Sequence, residues 1–258
     1  MLTMGSLFDG IGGFPLAAVR NGIVPLWASE IEAFPIEVTQ LRFPDMIHVG
    51  DITKLNGAEL PVVDIICGGS PCQDLSVAGA RAGLAGARSG LFMEQVRVVK
   101  EMRAHDELGG RTDHLIRPRY MVWENVPGAF SSGDPKGEDF RMVLEEIVRV
   151  KRDSLSVPRP DSGKWESAGR ILLGTDFSLA WRVLDAQYWG VAQRRRRIFL
   201  VADFGGRTAP AILFKQDSLS GYPAPRLRAW EGTPATAQGG ADDAGWAGPS
   251  ETVDHPDG

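Results

Sequence analysis

Short apolar runs alternate along the chain with longer stretches in which apolar residues recur every three or four positions. The first pattern predicts buried β-strands and the second predicts amphipathic helices. The predicted strands are Leu2–Phe8, Val24–Ser29, Met46–Gly50, Val62–Cys67, Tyr120–Trp123, Ser178–Asp185 and Arg197–Ala202. The predicted helices are Phe14–Asn21, Ile31–Gln40, Leu91–Ala104 and Phe140–Arg152. This alternation predicts an α/β fold with a mostly parallel, doubly wound sheet.

Three stretches depart from the alternation of strands and helices. Four glycines interrupt Asp74–Gly90, which predicts a mobile loop, and Ser154–Gly169 is expected to be an exposed irregular excursion. From about Ser218 the chain is rich in Gly, Ala and Pro and has no periodic apolar pattern. We therefore expect a folded domain over residues 1–215 and an extended or disordered tail over residues 216–258.

The net charge of -5 is unevenly distributed along the chain. Residues 1–215 carry 26 basic and 26 acidic side chains, whereas residues 216–258 carry two basic and seven acidic ones. The acidity of the whole chain is therefore a property of the tail, and the first part can still bind a polyanion through the basic run Gln193–Arg197. No apolar run is long enough for a membrane helix, so we expect a cytoplasmic protein.

Cysteine and histidine usage bounds the chemistry of the chain. The two cysteines, Cys67 and Cys72, are too few for a disulfide framework or a four-thiolate zinc site, and the four histidines are scattered, so we expect no metal. Cys67 lies within an apolar run and is predicted to be a buried, inert thiol. Cys72 follows glycines and a proline at a strand end, where it can act as a nucleophile if positive charge lowers its pKa.

A glycine turn, Leu7–Gly13, follows the first predicted strand and opens the first helix. Free amide groups at such a turn bind anions and let a ligand approach the backbone, although a simple tight turn has the same glycines. Glu30 ends the second strand, where a carboxylate can accept both ribose hydroxyls of a nucleoside. Asp51 follows the third strand and can meet an adenine amino group. Together these positions favour a nucleoside cofactor.

Charged side chains also mark the ends of the last two central strands. Glu124 follows the fifth strand and can hold a proton for donation beside a nucleophile on the next strand, but it could equally cap a helix or form a salt bridge. The arginine run precedes the final strand, and in an extended chain Arg195 and Arg197 would share one face. The run could line a site and contact phosphates, or it could be a solvated strand edge.

In this order, the motifs resemble those of the C5-specific DNA cytosine methyltransferases. The matching segments are Leu7–Phe14, Trp27–Ile31, Gly50–Ile52, Gly69–Ser76, Arg88–Phe92, Glu124–Val126, and Gln193 with Arg195 and Arg197. They cover about residues 1–205. The resemblance implies a Rossmann-like S-adenosylmethionine-dependent methyltransferase fold, a double-stranded DNA substrate and a bacterial or phage restriction-modification setting.

The resemblance also implies roles for individual residues. The catalytic residues would be Cys72, which attacks C6 of a flipped cytosine, Glu124, which acts at N3, Arg197, which contacts O2, and Arg195, which supports the site. The residues implied to line the S-adenosylmethionine site are Phe8, Gly10, Gly12, Glu30, Ile31, Asp51, Ile52, Pro71 and Leu91.

One departure from the family pattern leaves alternatives open. The family continues into a target-recognition region and a final segment with Gly-Asn-Ser, and neither is found in Gly205–Gly258. The chain could therefore be a truncated or split enzyme that needs a complementary subunit, or a non-catalytic remnant that binds nucleic acid or cofactor. A tRNA cytosine methyltransferase, which uses the same chemistry, is a further alternative.

Overall fold

The computed structural model describes residues 1–71, 90–190 and 192–214, and eight strands in these ranges form one sheet. The strands are β1 (Thr3–Leu7), β2 (Val24–Ser29), β3 (Ile47–His48), β4 (Ile65–Gly68), β5 (Tyr120–Asn125), β6 (Ala168–Leu173), β7 (Phe177–Asp185) and β8 (Arg196–Asp203). The α-helices are α1 (Gly13–Arg20), α2 (Ala33–Arg42), α3 (Leu91–Leu108), α4 (Glu138–Val148) and α5 (Ala209–Leu213). All seven predicted strands and all four predicted helices are present.

The strand order in the sheet is β3-β2-β1-β4-β5-β8-β7-β6. The first five strands in this order pair in parallel, whereas β8 is antiparallel to β5 and β6 is antiparallel to β7. The mostly parallel α/β fold predicted from the sequence is confirmed. Because β8 runs in the opposite direction, its first residues lie at the same edge as the carboxyl ends of β1, β2, β4 and β5. This edge, called here the carboxyl edge, carries the predicted site residues Glu30, Asp51, Glu124 and Arg197.

Helices cover the sheet on both faces. On one face Ala18 of α1 packs in a small cluster with Met4 and Cys67, and Cys67 is buried as predicted. On the other face α3 and α4 contribute to the main core, whose largest fully buried side chains include Trp27, Trp123 and Phe140. Close packing determines some residue types. A Cβ atom on Gly5 would lie 2.1 Å from the Trp27 ring, so β1 must have glycine there.

The structure corrects several predicted boundaries. Ser154–Gly169 was expected to be irregular throughout, but β6 begins at Ala168 and forms a hairpin with β7. This strand was missed because it lies at the edge of the sheet and its residues are only half-buried or exposed, so its apolar signal is weak. The predicted loop Asp74–Gly90 lies almost wholly outside the described residues, and so does the predicted tail over residues 216–258.

The chain divides into two units. The first comprises Met1–Leu184 and Arg197–Lys215, and the described part of the second is the segment Asp185–Arg196 without Val191. No helix in the described part of the chain is long and apolar enough to cross a membrane. Within the same ranges, no three His, Cys, Asp or Glu side chains are grouped so that they could hold a metal ion.

Candidate active site

The glycine turn between β1 and α1 lies at the carboxyl edge. Phe8, Gly10 and Gly12 have positive φ angles of 54°, 55° and 84°, so the backbone turns sharply there. A Cβ on Gly12 would lie 2.8 Å from the Phe43 ring, whereas nothing lies within 4 Å of a Cβ position on Gly10. No side chain caps the start of α1. The turn is therefore tightly packed on one side and has open space at Gly10.

Glu30, directly after β2, is bound to this turn. Its Oε2 accepts a hydrogen bond from the amide of Gly10 at 2.7 Å, and its Oε1 accepts from the amides of Ile31 and Glu32 at 2.7 and 3.1 Å. A carboxylate has about four acceptor positions, so Oε2 retains capacity for a further donor. The structure thus brings together the predicted acid and the predicted glycine turn.

Asp51 lies after β3, at the start of a 3₁₀ turn over Ile52–Lys54. Its Oδ1 accepts hydrogen bonds from the amide and the hydroxyl of Thr53, at 3.0 and 2.8 Å. The hydrogen bond from the Thr53 amide, followed by that from its hydroxyl, lowers the pKa of the Asp51 carboxyl. The side chain is therefore an ionised acceptor at neutral pH, and its Oδ2 lies 3.8 Å from Nζ of Lys54.

Asp9 is a feature of the turn that sequence reasoning missed. It is only 6% exposed, and its Oδ1 accepts a 2.5 Å hydrogen bond from the Ser6 hydroxyl. Its Oδ2 is buried and has no hydrogen-bond partner among the described residues. Burial, opposed by the Ser6 hydrogen bond and assisted by the negative charge of Glu30, raises the pKa of Asp9 to about 6. An aspartate that precedes a glycine in a turn is usually solvated, so no pattern in the sequence signals this burial.

We expect Asp9→Asn to stabilise the fold at neutral pH and to change it little near pH 4. The pKa of Asp9 is about 6 in the folded protein and 3.8 ordinarily, so the folded state holds the Asp9 proton more tightly than the unfolded state. The resulting contribution to the free energy of unfolding is fully present below pH 3.8 and is lost as the pH rises through 6. The loss amounts to at most about 3 kcal/mol at pH 7. Urea unfolding of both proteins between pH 4 and 8 measures it, and a stability difference that does not change with pH would contradict the assignment.

Glu124 and Arg197 form the charged pair of the site. Nε of Arg197, at the start of β8, lies 3.0 Å from Oε1 of Glu124 near the end of β5, and each side chain is 23% exposed. A Cβ on Gly69 would lie 3.1 Å from Oε2 of Glu124, so the chain leaving β4 passes close to this carboxylate. The structure therefore brings the predicted acid and one predicted arginine together.

The segment that leads to Cys72 is attached to the end of β5. Nδ2 of Asn125 donates a 3.0 Å hydrogen bond to the carbonyl oxygen of Ser70, and Nε1 of Trp123 donates a 3.0 Å bond to the Ser70 hydroxyl. Pro71 follows and is exposed, and Cys72 itself lies outside the described residues. The chain is thus fixed beside Glu124 two residues before the predicted nucleophile.

Arg195 differs from Arg197 in its surroundings. β8 begins only at Arg196, so strand alternation does not determine which way Arg195 faces. The Arg195 side chain is exposed, and its amide donates a 3.1 Å hydrogen bond to Oδ1 of Asp185. That Arg195 and Arg197 share one face stays a prediction, because the regular strand starts between them.

The remaining predicted cofactor residues differ in exposure. Ile31, next to Glu30, is 69% exposed. Ile52 is 4% exposed and its side chain belongs to the main core, so a ligand could contact only its backbone. Phe8 and Leu91 are half-buried and pack against the same core.

Comparison with known proteins gives a family and several relatives. The family model for C-5 cytosine-specific DNA methylase matches residues 2–149. A protein of Escherichia phage P1 named DNA N-6-adenine-methyltransferase is 35% identical over 93% of this chain and 34% of its own length. The type II methyltransferase M.HhaI of Haemophilus parahaemolyticus is 29% identical over 76% of this chain and 47% of its own length.

Among solved structures, the fold is similar to that of the S. pombe Dnmt2 methyltransferase. The TM-score is 0.53 at 19% sequence identity, with 80% of this chain and 52% of the other covered. This similarity concerns the fold alone. The chain spans between a third and a half of the length of the two relatives described above.

Proposed function

Since the chain belongs to the C-5 cytosine-specific DNA methylase family, we propose that it carries the catalytic part of a DNA (cytosine-5-)-methyltransferase. Its substrates would be S-adenosylmethionine and a cytosine in double-stranded DNA. The observation that carries the proposal is the Glu124–Arg197 pair at the carboxyl edge, beside the segment that leads to Cys72. The glycine turn lies on β1, which neighbours β4 in the sheet.

The residues around the glycine turn fit S-adenosylmethionine. Open space at Gly10 allows a ligand to approach the backbone, Glu30 keeps acceptor capacity for ribose hydroxyls, and ionised Asp51 can accept from an adenine amino group. The exposed side chain of Ile31 offers an apolar surface for the adenine ring. When bound, this cofactor supplies an electrophilic methyl group.

We expect Glu30→Ala to weaken the binding of S-adenosylmethionine by roughly 1–3 kcal/mol, because the ribose hydroxyls and the Gly10 amide would lose their shared acceptor. Isothermal titration calorimetry measures the dissociation constant directly. Glu32→Ala is the control, since this exposed side chain lies two residues away. Unchanged affinity in Glu30→Ala would remove Glu30 from the cofactor site.

The chain's own residues would activate cytosine at C5. The thiolate of Cys72 would add to C6 of a flipped-out base, forming the S–C6 bond while Glu124 protonates N3. The electron pair of the former C5–C6 double bond would then make C5 nucleophilic. After methyl transfer to C5, a base would remove the C5 proton, the thiolate would leave C6 and the N3 proton would return to Glu124, which restores the ring as 5-methylcytosine. Arg197 would donate to the cytosine O2 and hold the Glu124 carboxylate in place.

Methylation of adenine is the second candidate, because the phage P1 relative is named for that activity. The chain covers only 34% of that relative. Transfer to the exocyclic N6 atom does not need a thiol that adds to the ring. The presence of Cys72 two positions after Ser70, which is itself bonded to the end of the Glu124 strand, therefore favours cytosine C5.

The proposal is tested by trapping the covalent intermediate on duplex DNA that contains 5-fluorocytosine, with S-adenosylmethionine present. Fluorine at C5 cannot leave as a proton would, so the enzyme should stay bound to the DNA through Cys72. The reaction is run with and without a fragment that supplies the family's recognition region. No adduct in either case, although the cofactor binds, would favour a non-catalytic binding remnant.

Product analysis separates the alternative substrates. The protein is incubated with labelled S-adenosylmethionine and with ordinary duplex DNA and tRNA as competing methyl acceptors. Both nucleic acids are then digested to nucleosides and analysed by mass spectrometry. We expect 5-methylcytosine in the DNA. N6-methyladenine in the DNA would support the second candidate, and label confined to tRNA would replace DNA with RNA as the substrate.

A further inference from the structure

The 3₁₀ turn that begins after Asp51 is held at both of its ends. Asp51 accepts from Thr53 at the amide end. At the carbonyl end, Nη2 of Arg97 donates a 2.9 Å hydrogen bond to the oxygen of Ile52, and Nη1 donates a 2.7 Å bond to that of Leu55. Arg97 lies on α3, so the helix determines where this turn sits.

Two carboxylates on α3 fix the Arg97 guanidinium. Its Nε donates to Oε2 of Glu94 at 2.8 Å, and its Nη1 lies 2.9 Å from both oxygens of Glu101. These acids are three residues before and four residues after Arg97, on the same side of the helix. A guanidinium with planar, forked donors can contact two acids and two carbonyl groups at once, whereas a lysine cannot.

The next part of the loop is attached to the same helix. The amide of Gly57 donates a 2.7 Å hydrogen bond to Oε2 of Glu101, and a Cβ on Gly57 would lie 2.4 Å from the Val98 carbonyl oxygen. β2 holds the chain as far as Gly50, whose carbonyl oxygen accepts from the Ser29 hydroxyl at 2.6 Å. Between these two attachments, the position of the Asp51 carboxylate depends on the turn that Arg97 holds.

We propose that Arg97 is a positioning residue for nucleoside recognition, which sets the Asp51 carboxylate where it reads the adenine amino group. The inference rests on the proposed function, since it assumes that an adenosyl cofactor binds at the carboxyl edge. Oδ1 of Asp51 is engaged by Thr53, so Oδ2 is the atom that would accept from the amino group. Displacement of the turn would weaken this contact and leave the glycine turn and Glu30 unchanged.

The chain contains a matched control on α4. Arg141 contacts Glu138 and Glu145, again three residues before and four after it, and its Nη1 donates a 3.2 Å hydrogen bond to the carbonyl oxygen of Val157. The amide of Val157 donates to Oε2 of Glu145 at 3.0 Å, as that of Gly57 does to Glu101. This second arrangement holds a segment that carries no predicted site residue.

The test compares the affinities for S-adenosylhomocysteine and S-inosylhomocysteine by calorimetry. The inosyl compound has a carbonyl oxygen where adenine has the amino group, so Asp51 should repel it. We expect the wild-type protein to prefer the adenosyl compound by about tenfold or more. Arg97→Gln and Asp51→Asn should lose most of this preference, Arg97→Lys should keep part of it, and Arg141→Gln should keep all of it. Thermal unfolding should show similar losses of stability in Arg97→Gln and Arg141→Gln.

Each contrary outcome has a distinct meaning. Wild-type protein that binds neither compound would overturn the cofactor assignment in the proposed function, and the role of Arg97 with it. If the wild type prefers the adenosyl compound and Arg97→Gln has the same ratio of affinities, Arg97 has no positioning role. The cofactor assignment would be unaffected by that result. Loss of the ratio in Arg141→Gln would show that general destabilisation causes it. An unchanged ratio in Asp51→Asn would show that Asp51 does not read the amino group.

Discussion

Replacement of Cys72 by alanine is expected to reduce methyl transfer by at least about three orders of magnitude while leaving the affinity for S-adenosylmethionine nearly unchanged. C5 of cytosine is a poor nucleophile until a group adds to C6, and alanine cannot add. The proposed cofactor contacts of the glycine turn, Glu30 and Asp51 follow β1, β2 and β3, so they should not depend on this thiol. Single-turnover transfer to duplex DNA and calorimetry with the cofactor measure the two quantities separately.

Cys67→Ala is the matched control, because it removes the other thiol. Cys67 is buried, and burial raises its pKa to about 12, with the negative charge of Asp9 adding to the effect. It is therefore neither accessible nor ionised at neutral pH, and its replacement should change stability more than transfer. Full transfer by Cys72→Ala, or loss of transfer only in Cys67→Ala, would contradict the assigned nucleophile.

Glu124→Gln is expected to lower the rate of transfer by about 10²–10⁴-fold, because glutamine has the same shape but cannot supply a proton to N3. The matched control is Glu138→Gln. Oε1 of Glu138 lies 2.9 Å from Nε of Arg141 at 22% exposure, close to the 3.0 Å and 23% of the Glu124–Arg197 pair. Both variants lose an arginine–carboxylate pair, but only Glu124 lies at the carboxyl edge.

The variants Glu124→Gln and Glu138→Gln are compared by their single-turnover rates and their free energies of unfolding. We expect similar small losses of stability in the two variants and a rate defect in Glu124→Gln alone. A rate defect of the same size in Glu138→Gln would indicate that loss of an ion pair, rather than of a proton donor, slows the reaction. An unimpaired Glu124→Gln enzyme would remove Glu124 from the chemistry.

The sequence predicts the elements of this fold better than it predicts their arrangement. Buried strands such as β1 and β4 are apolar runs that packing on both faces requires, so their presence could be predicted. The limits of β1 were predicted to within one residue, whereas β4 begins three residues later than predicted. The apolar pattern of β8 does not indicate its direction, because a buried strand has the same pattern in a parallel or an antiparallel pair. The helix α5 was missed because five residues that include Pro210 give no periodic signal.

For the candidate site too, the sequence predicts which residues follow the strands but not how they pack. The common location of Glu30, Asp51 and Glu124 could be predicted, because side chains at the carboxyl ends of parallel strands lie at the same side of a sheet. The burial of Asp9 was not found, since it depends on how the turn packs rather than on the residue type. The role of Arg97 was also missed. An arginine flanked by glutamates on a helix is typical of a solvated face, and only the backbone carbonyls that it meets distinguish it.

The direction of β8 has a consequence for any engineered fusion or split version of this protein. The strand starts beside Glu124 and ends at Asp203, which pairs with Tyr120 at the opposite edge of the sheet, and Thr208 lies 3.2 Å from the Tyr120 hydroxyl. A linker joined after α5 therefore starts on the far side of the sheet. It must cross the length of an eight-residue strand, about 27 Å, to bring a DNA-reading module to the cytosine. We expect a linker shorter than roughly eight extended residues to disable such a fusion, unless the module itself spans part of this distance.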